Sequence, residues 1–258
     1  MNSTDRGPHR PCILIPVYNH SAVLRQTLAA LHASQLPVVL VDDGSDAPCS
    51  TLLAMLRDEY DDVYLVRHDS NRGKGGAVKT GLATARALHF THALQLDADG
   101  QHDRDDIPRF LEQSRTNPDA MICGYPHYDA SVPKHRFYAR YLTHVWVWIN
   151  TLSTTIIDSM CDFRVYPLEL SCQLLERCRM GNRMDFDGEF IVRWYWAGHA
   201  LIQLQTRVTY PSDGVSHFRL WRDNLLISLM HAKLFLLLPF KLPTLLARRF
   251  RAAGQTRA

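Results

Sequence analysis

Apolar residues along this chain come in two rhythms. Apolar runs of four to six stand at 12–17, 38–41, 63–66 and 93–96, the last interrupted by Gln95, and between them apolar residues recur at every third or fourth position. The runs read as strands buried on both faces, and the intervening patterns as helices at about 21–33, 50–60, 75–89 and 103–115. Such a β-α-β-α succession predicts a mostly parallel α/β sheet with helices on both faces, which places ligands at the carboxyl ends of the strands. Past a further run at 121–124 the pattern changes. A basic segment around Lys134, His135 and Arg136 leads into a long apolar helix through Trp146, Trp148 and Ile157. A helix at 186–197, an alternating strand at 201–210 and a very apolar stretch at 225–240 follow.

With 258 residues, 46% of them hydrophobic, the chain can bury one substantial core. The domain is expected at 11–222, preceded by a polar leader at 1–10 and followed by an amphipathic helical segment and basic tail at 223–258. Six cysteines without C-x-x-C spacing, and no signal-like apolar start, imply free thiols in the cytoplasm. A net charge of +3 gives no ground for a nucleic-acid partner, and none is expected. Lys241, Arg248, Arg249, Arg251 and Arg257, however, gather near the C-terminus and point to an anionic surface. The stretch at 225–240 carries Lys233, ends in Pro239 and falls short of the ~20 residues a span requires. It is read as lying in the interface on the inner face of the cytoplasmic membrane, with packing onto the domain as the alternative.

The polar motifs stand where the apolar runs end. Pro16-Val17-Tyr18-Asn19 closes the first run and Asp42-Asp43-Gly44-Ser45 the second, where a carboxylate can accept from a base edge or ribose hydroxyl, or cap a turn. Asn71-Arg72-Gly73-Lys74-Gly75-Gly76 opens a helix, an arrangement that favours a phosphate without being a P-loop. Asp97-Ala98-Asp99-Gly100 offers hard oxygens at alternate positions, suited to Mg²⁺ or Mn²⁺ with a diphosphate completing the shell. Asp185-Phe186-Asp187-Gly188-Glu189 crowds acids at a helix start, as caps or as a general base for an acceptor hydroxyl. Arg164, after Asp162-Phe163, and Arg219 could face a phosphate or serve as ion-pair partners.

In this order and spacing, the motifs resemble the family 2 glycosyltransferases of GT-A fold, particularly the dolichyl-phosphate mannose synthase-like and related bacterial branch. The resemblance spans roughly residues 11–225. It implies inverting transfer of a sugar from a UDP- or GDP-sugar to a lipid or polyprenyl-phosphate acceptor at a membrane surface. Pro16, Tyr18, Asn19 and Asp43 would hold the nucleotide, with Arg72 and Lys74 close by. Asp97 and Asp99 would match the metal and diphosphate site, with Asp99 the direct ligand. Asp187 and Glu189 fall in the acceptor half, and Arg164 and Arg219 where phosphate-facing residues are expected. The lipid-phosphate branch carries Gly before its Phe-Arg where this chain has Asp162, so hydroxylated lipids stay open as acceptors. A nucleotidyltransferase would place a glycine-rich loop after the first strand, where Pro-Val-Tyr-Asn stands. A catalytically silent nucleotide-sugar sensor is the remaining rival.

Overall fold

The computed structural model describes residues 8–32, 35–98, 102–126, 134–207 and 219–255. Strands β1 (Pro11–Val17), β2 (Val38–Asp42), β3 (Val63–Arg67) and β4 (His92–Gln95) alternate with α1 (Ser21–His32), α2 (Ala47–Glu59) and α3 (Lys74–Ala87). After α4 (Ile107–Thr116) come β5 (Met121–Pro126), α5 (Lys134–Thr151), β6 (Arg164–Pro167), α6 (Leu168–Arg177), α7 (Phe186–Ala197), β7 (Leu201–Thr206) and α8 (Leu220–Gln255). The sheet runs β3-β2-β1-β4-β6-β5-β7, and among the described strands only β6 is antiparallel to its neighbours.

Side chains alternate across the pleat, so each run feeds two cores. Cys12, Leu14, Val39 and Val41 pack against α3, α6, α7 and α8, whereas Ile13, Ile15, Val38 and Leu40 pack against α1, α2 and α4. Gly81 lets α3 approach β1, since a Cβ there would collide with the Leu14 side chain.

Two features depart from the sequence pattern. The helix expected to reach Ile157 stops at Thr151, where Leu152 takes a positive φ of 52°. The chain then turns through 152–163 into the short strand β6. At the C-terminal end, Pro239 and Pro243 lie inside α8 and do not end it, so the shortness argued against a span does not hold. Among the described residues α8 is the one helix long and apolar enough to cross a membrane, over Leu220–Arg248. One face packs on the body, burying Ile227, Met230, His231, Leu234, Leu238 and Leu245 at helical spacing. Lys233 Nζ also reaches Glu189 Oε1 (2.8 Å), and Arg248 donates to the Tyr195 and Trp196 carbonyls at the end of α7 (2.8 and 3.0 Å).

Candidate active site

The carboxyl ends of β2, β1 and β4 lie side by side, and the polar motifs meet there. Pro16 pairs in register with Val41. Beyond it, the Asn19 amide donates to Ser45 Oγ (3.0 Å), and Asn19 Oδ1 accepts from the Asp46 amide (2.8 Å). Tyr18 and Asn19 thereby share one rim with the Asp-Asp-Gly-Ser turn. Asp42 Oδ1 accepts from the Ser45 amide (2.8 Å), and Arg67 Nε stands 3.5 Å from Asp42 Oδ2.

Asp43 is buried, and its carboxylate is committed. It accepts from the amides of Arg72 (2.9 Å) and Gly73 (2.8 Å) and from His68 Nδ1 (2.7 Å), whose other ring nitrogen pairs with Thr80. Its place is therefore beneath the Asn-Arg-Gly-Lys loop, which it fastens. Gly73 sits at φ 95°, with the Asn182 carbonyl where a Cβ would go, so no other residue fits. The Gly76 amide donates to that same carbonyl (2.9 Å). This loop delivers its charge to the strand ends through the Lys74 side chain.

Lys74 Nζ lies 2.9 Å from Asp97 Oδ2 and 2.5 Å from Asp162 Oδ2. The two aspartates meet because β4 and β6 are antiparallel, with Gln95 opposite Arg164; continuing that register by two residues sets Asp97 across from Asp162. Phe163 between them is fully buried against Phe110 at 4.3 Å, which holds the approach to β6 in place.

Asp187, in the first turn of α7, completes the cluster. Arg164 ties it down from inside the protein: Nε donates to the Cys161 carbonyl (2.7 Å), Nη2 to Ser159 (2.7 Å) and Nη1 to Asp187 (3.1 Å), with Asp187 Oδ1 3.7 Å from Nη1. Arg164 is fully buried, so a phosphate-facing position is not where the structure puts it. Its guanidinium is used on carbonyls that shape the 159–162 turn.

Burial raises the Asp187 carboxyl to about 7, with the neighbouring Asp162 carboxylate adding to the rise against Arg164 and Lys74. Burial would also raise Asp162, but Lys74 beside it and a hydrogen bond involving Asp97 hold it below the usual carboxylate range. For Lys74, burial opposes the charge, and Asp162, Asp97 and Asp187 together overcome it and raise the ammonium well above its ordinary value.

Glu189 goes elsewhere. Two residues along a helix is about 200° of rotation, so Glu189 turns away from Asp187. It accepts from the Gly181 amide (3.0 Å), Arg193 (2.8 Å) and Lys233 (2.8 Å). Burial would raise it, but Lys233, the Gly181 amide and Arg193 lower it. It fastens α8 to α7. Arg219 is exposed at the start of α8, its amide donating to Asp223 Oδ2 (2.7 Å). Asp99 and the 214–218 segment lie outside the described residues.

Between Lys74, Asp162 and Asp187 on one side and Met160, Met184 and Met230 on the other is a cavity of about 120 Å³. In the sequence Asp162 stands out only as a departure from a pattern, and nothing there announces the antiparallel β6 that brings it to Asp97. Among the described residues no set of three His, Cys, Asp or Glu side chains is disposed to hold a metal ion. Asp97 still presents a hard carboxylate at the end of β4, chemistry that suits Mg²⁺ or Mn²⁺.

The family model described as Glycosyl transferase family 2 matches residues 12–172. An uncharacterized protein of Methanocaldococcus jannaschii is 27% identical over 214 residues, covering 79% of this chain and 90% of that one. The UDP-N-acetylglucosamine–dolichyl-phosphate N-acetylglucosaminyltransferase of Methanococcus voltae is 30% identical, over 39% of this chain and 45% of its own length. The Homo sapiens dolichyl-phosphate beta-glucosyltransferase is 26% identical over 69% of this chain and 61% of its own. The chain thus spans about half the length of the named transferases it matches. In fold, it is similar to the Pyrobaculum calidifontis mannosyltransferase solved with GDP-Man and Mn²⁺ (TM-score 0.54, 18% identity, 95% and 75% covered). It is likewise similar to S. aureus TarS with UDP-GlcNAc (TM-score 0.57, 13% identity, 86% and 65% covered).

Proposed function

This chain belongs to glycosyl transferase family 2, and from that premise we propose that it moves a sugar from a UDP- or GDP-sugar to a lipid-borne acceptor, inverting the anomeric carbon. The observation that carries the reading is the convergence of Lys74, Asp97, Asp162 and Asp187 where β4, β6 and α7 meet, beside the rim formed by Pro16, Tyr18 and Asn19. That rim would hold the nucleotide, with Arg72 near its phosphates. A divalent ion held by Asp97, with Asp99, would supply charge neutralisation for the departing diphosphate. Lys74 brings a fixed positive charge to the same oxygens. Asp187 lines the same cavity as Lys74 and Asp162 and would serve there as the base for an acceptor hydroxyl.

The relatives named for dolichyl phosphate support an acceptor carried in lipid. The outer faces of α5 and α8 support a membrane surface at the inner side of the cytoplasmic membrane. Trp221, Leu225, Leu229, Leu236 and Phe240 are exposed on α8, and Tyr141, Leu142 and Trp146 on α5, with Trp146 against Phe235 (6.2 Å). An apolar stripe that faces outward beside exposed Arg222 and Lys241 suits an anionic lipid interface. The protein is expected to float with phosphatidylglycerol vesicles, and the pair Leu225→Glu and Leu236→Glu to reduce the bound fraction at least fivefold. Equal flotation of both forms would remove α8 from the membrane contact.

The activity itself is tested by screening UDP- and GDP-sugars for release of nucleoside diphosphate in the presence of membrane lipid. Release is expected with one donor class, falling at least tenfold on chelation with EDTA and in Asp97→Ala. A folded protein that binds a nucleotide sugar but turns over none of them would favour the sensor reading.

A further inference from the structure

The cavity between the turn at 160–162, α5, α7 and α8 is poorly suited to a phosphate. Two of its walls are the carboxylates Asp162 and Asp187, and Lys74 is the one cation among its described lining residues. That ammonium is already shared between Asp97 and Asp162. The Arg164 guanidinium is buried behind Asp187 and donates to three backbone carbonyls. Lys233 and Arg193 are drawn off by Glu189. An anionic group entering here would meet two carboxylates, and among the described lining residues the one cation to compensate them is Lys74, which the donor's diphosphate would also claim. The Asp187 carboxyl on the cavity wall is not fully satisfied, since Oδ1 is buried without a hydrogen bond and stands 3.7 Å from Arg164 Nη1, and an unmade bond at a buried oxygen is costly. A hydroxyl can donate to that carboxylate, which a phosphate dianion cannot. Met160, Met184 and Met230 supply an apolar wall for the rest of the molecule.

We infer that the acceptor is a neutral hydroxyl compound with an apolar body rather than a phosphate, and that Asp162 and Asp187 together select it. The inference rests on the glycosyltransferase reading above and names the acceptor class of that same site. In the step, the acceptor oxygen bonds to the anomeric carbon as its proton passes to the Asp187 carboxylate. The bond from that carbon to the donor's phosphate oxygen breaks, and its electron pair leaves with the nucleoside diphosphate. Asp187 contacts the reacting hydroxyl. Asp162 acts by excluding the anionic competitor.

The test uses matched acceptors in the same detergent: polyprenol against polyprenyl phosphate of one chain length, and diacylglycerol against phosphatidate with the same acyl chains. Transfer from the active donor is expected to favour the hydroxyl member of at least one pair tenfold or more in kcat/KM. Asp162→Asn, which keeps shape and removes charge, should narrow that ratio at least fivefold by raising the phosphate arm, and Asp162→Gly should do so again if the asparagine variant folds poorly. Preference of the wild type for a phosphate member, or a ratio unmoved by both variants, would overturn the inference while leaving glycosyl transfer standing. Absence of donor turnover with every acceptor would strike at the proposed function itself.

Discussion

Asp187→Asn is expected to lower kcat for transfer to a hydroxyl by about 10²–10⁴-fold, the usual contribution of a positioned general base. The asparagine keeps the size of the side chain and its place above Arg164 but cannot take a proton. Donor affinity should change little, so the loss would appear in kcat rather than in KM for the sugar nucleotide. A pH profile separates this role from a structural one. With Asp187 raised to about 7 by burial and by Asp162, wild-type kcat should climb as pH rises through 7 and then level off, and the variant should lose that limb. The same shift fixes a stability effect. A carboxyl whose folded value exceeds its unfolded one holds a proton in the folded state that the unfolded chain has released. Stability therefore declines as pH rises from about 4 to about 7. Asparagine removes that decline, so Asp187→Asn should melt higher than wild type at pH 8 and about equally at pH 4. Retention of more than a third of wild-type kcat would exclude Asp187 as the base.

The first half of the fold was legible because its strands are continuous apolar runs, and such runs in alternation with helical periods have few other solutions. The helix at 186–197 was readable from its helical period, with acids at its start; Gly198 closes it at φ 83°. Strand β6 was not legible. It is four residues long, opens with a charged side chain and owes its place to pairing with β4, a long-range contact that no local period records. The consequence fell on the site, since Asp162 reaches Asp97 only through that pairing.

Adjacent acids raised the second difficulty. Asp42 and Asp43 are neighbours at a strand end and point in different directions, and Asp187 and Glu189 are two apart on a helix. Composition names each pair, but only the backbone says which member faces the cavity. Asp43 turns inward to hold the Arg72 and Gly73 amides, and Glu189 turns toward Lys233. Arg164 follows the same rule: a charged residue on an interior strand faces the core, and there its donors go to carbonyls. At α8, proline misled because it normally ends a helix, whereas packing along one side carries this helix through Pro239 and Pro243.

Lys74→Met is expected to be the most disruptive substitution at the site. Methionine fills the volume of the lysine stem, but Asp97 and Asp162 lose their shared ammonium and face one another in a partly buried cluster. Removing one partner of such an arrangement costs about 3–5 kcal/mol, because the charges left behind are uncompensated. The cost should depend on pH in a defined direction. Asp162 is held below the ordinary carboxylate range in the wild type, so its contribution to stability is present above about pH 4 and lost as pH falls further. The difference in urea stability between wild type and Lys74→Met should therefore be largest near pH 7 and shrink as pH drops below 4, where the orphaned carboxylates protonate. Donor turnover at neutral pH should fall by at least two orders of magnitude. The charge facing the departing diphosphate disappears, and the loop that Asp43 anchors loses its tie to β4 and β6. Lys74→Arg keeps the charge but not the compact geometry that fits between two carboxylates. It should recover most of the stability and only part of the turnover. Equal unfolding midpoints for wild type and Lys74→Met across that pH range would show that the ammonium is not what holds the two strand ends together.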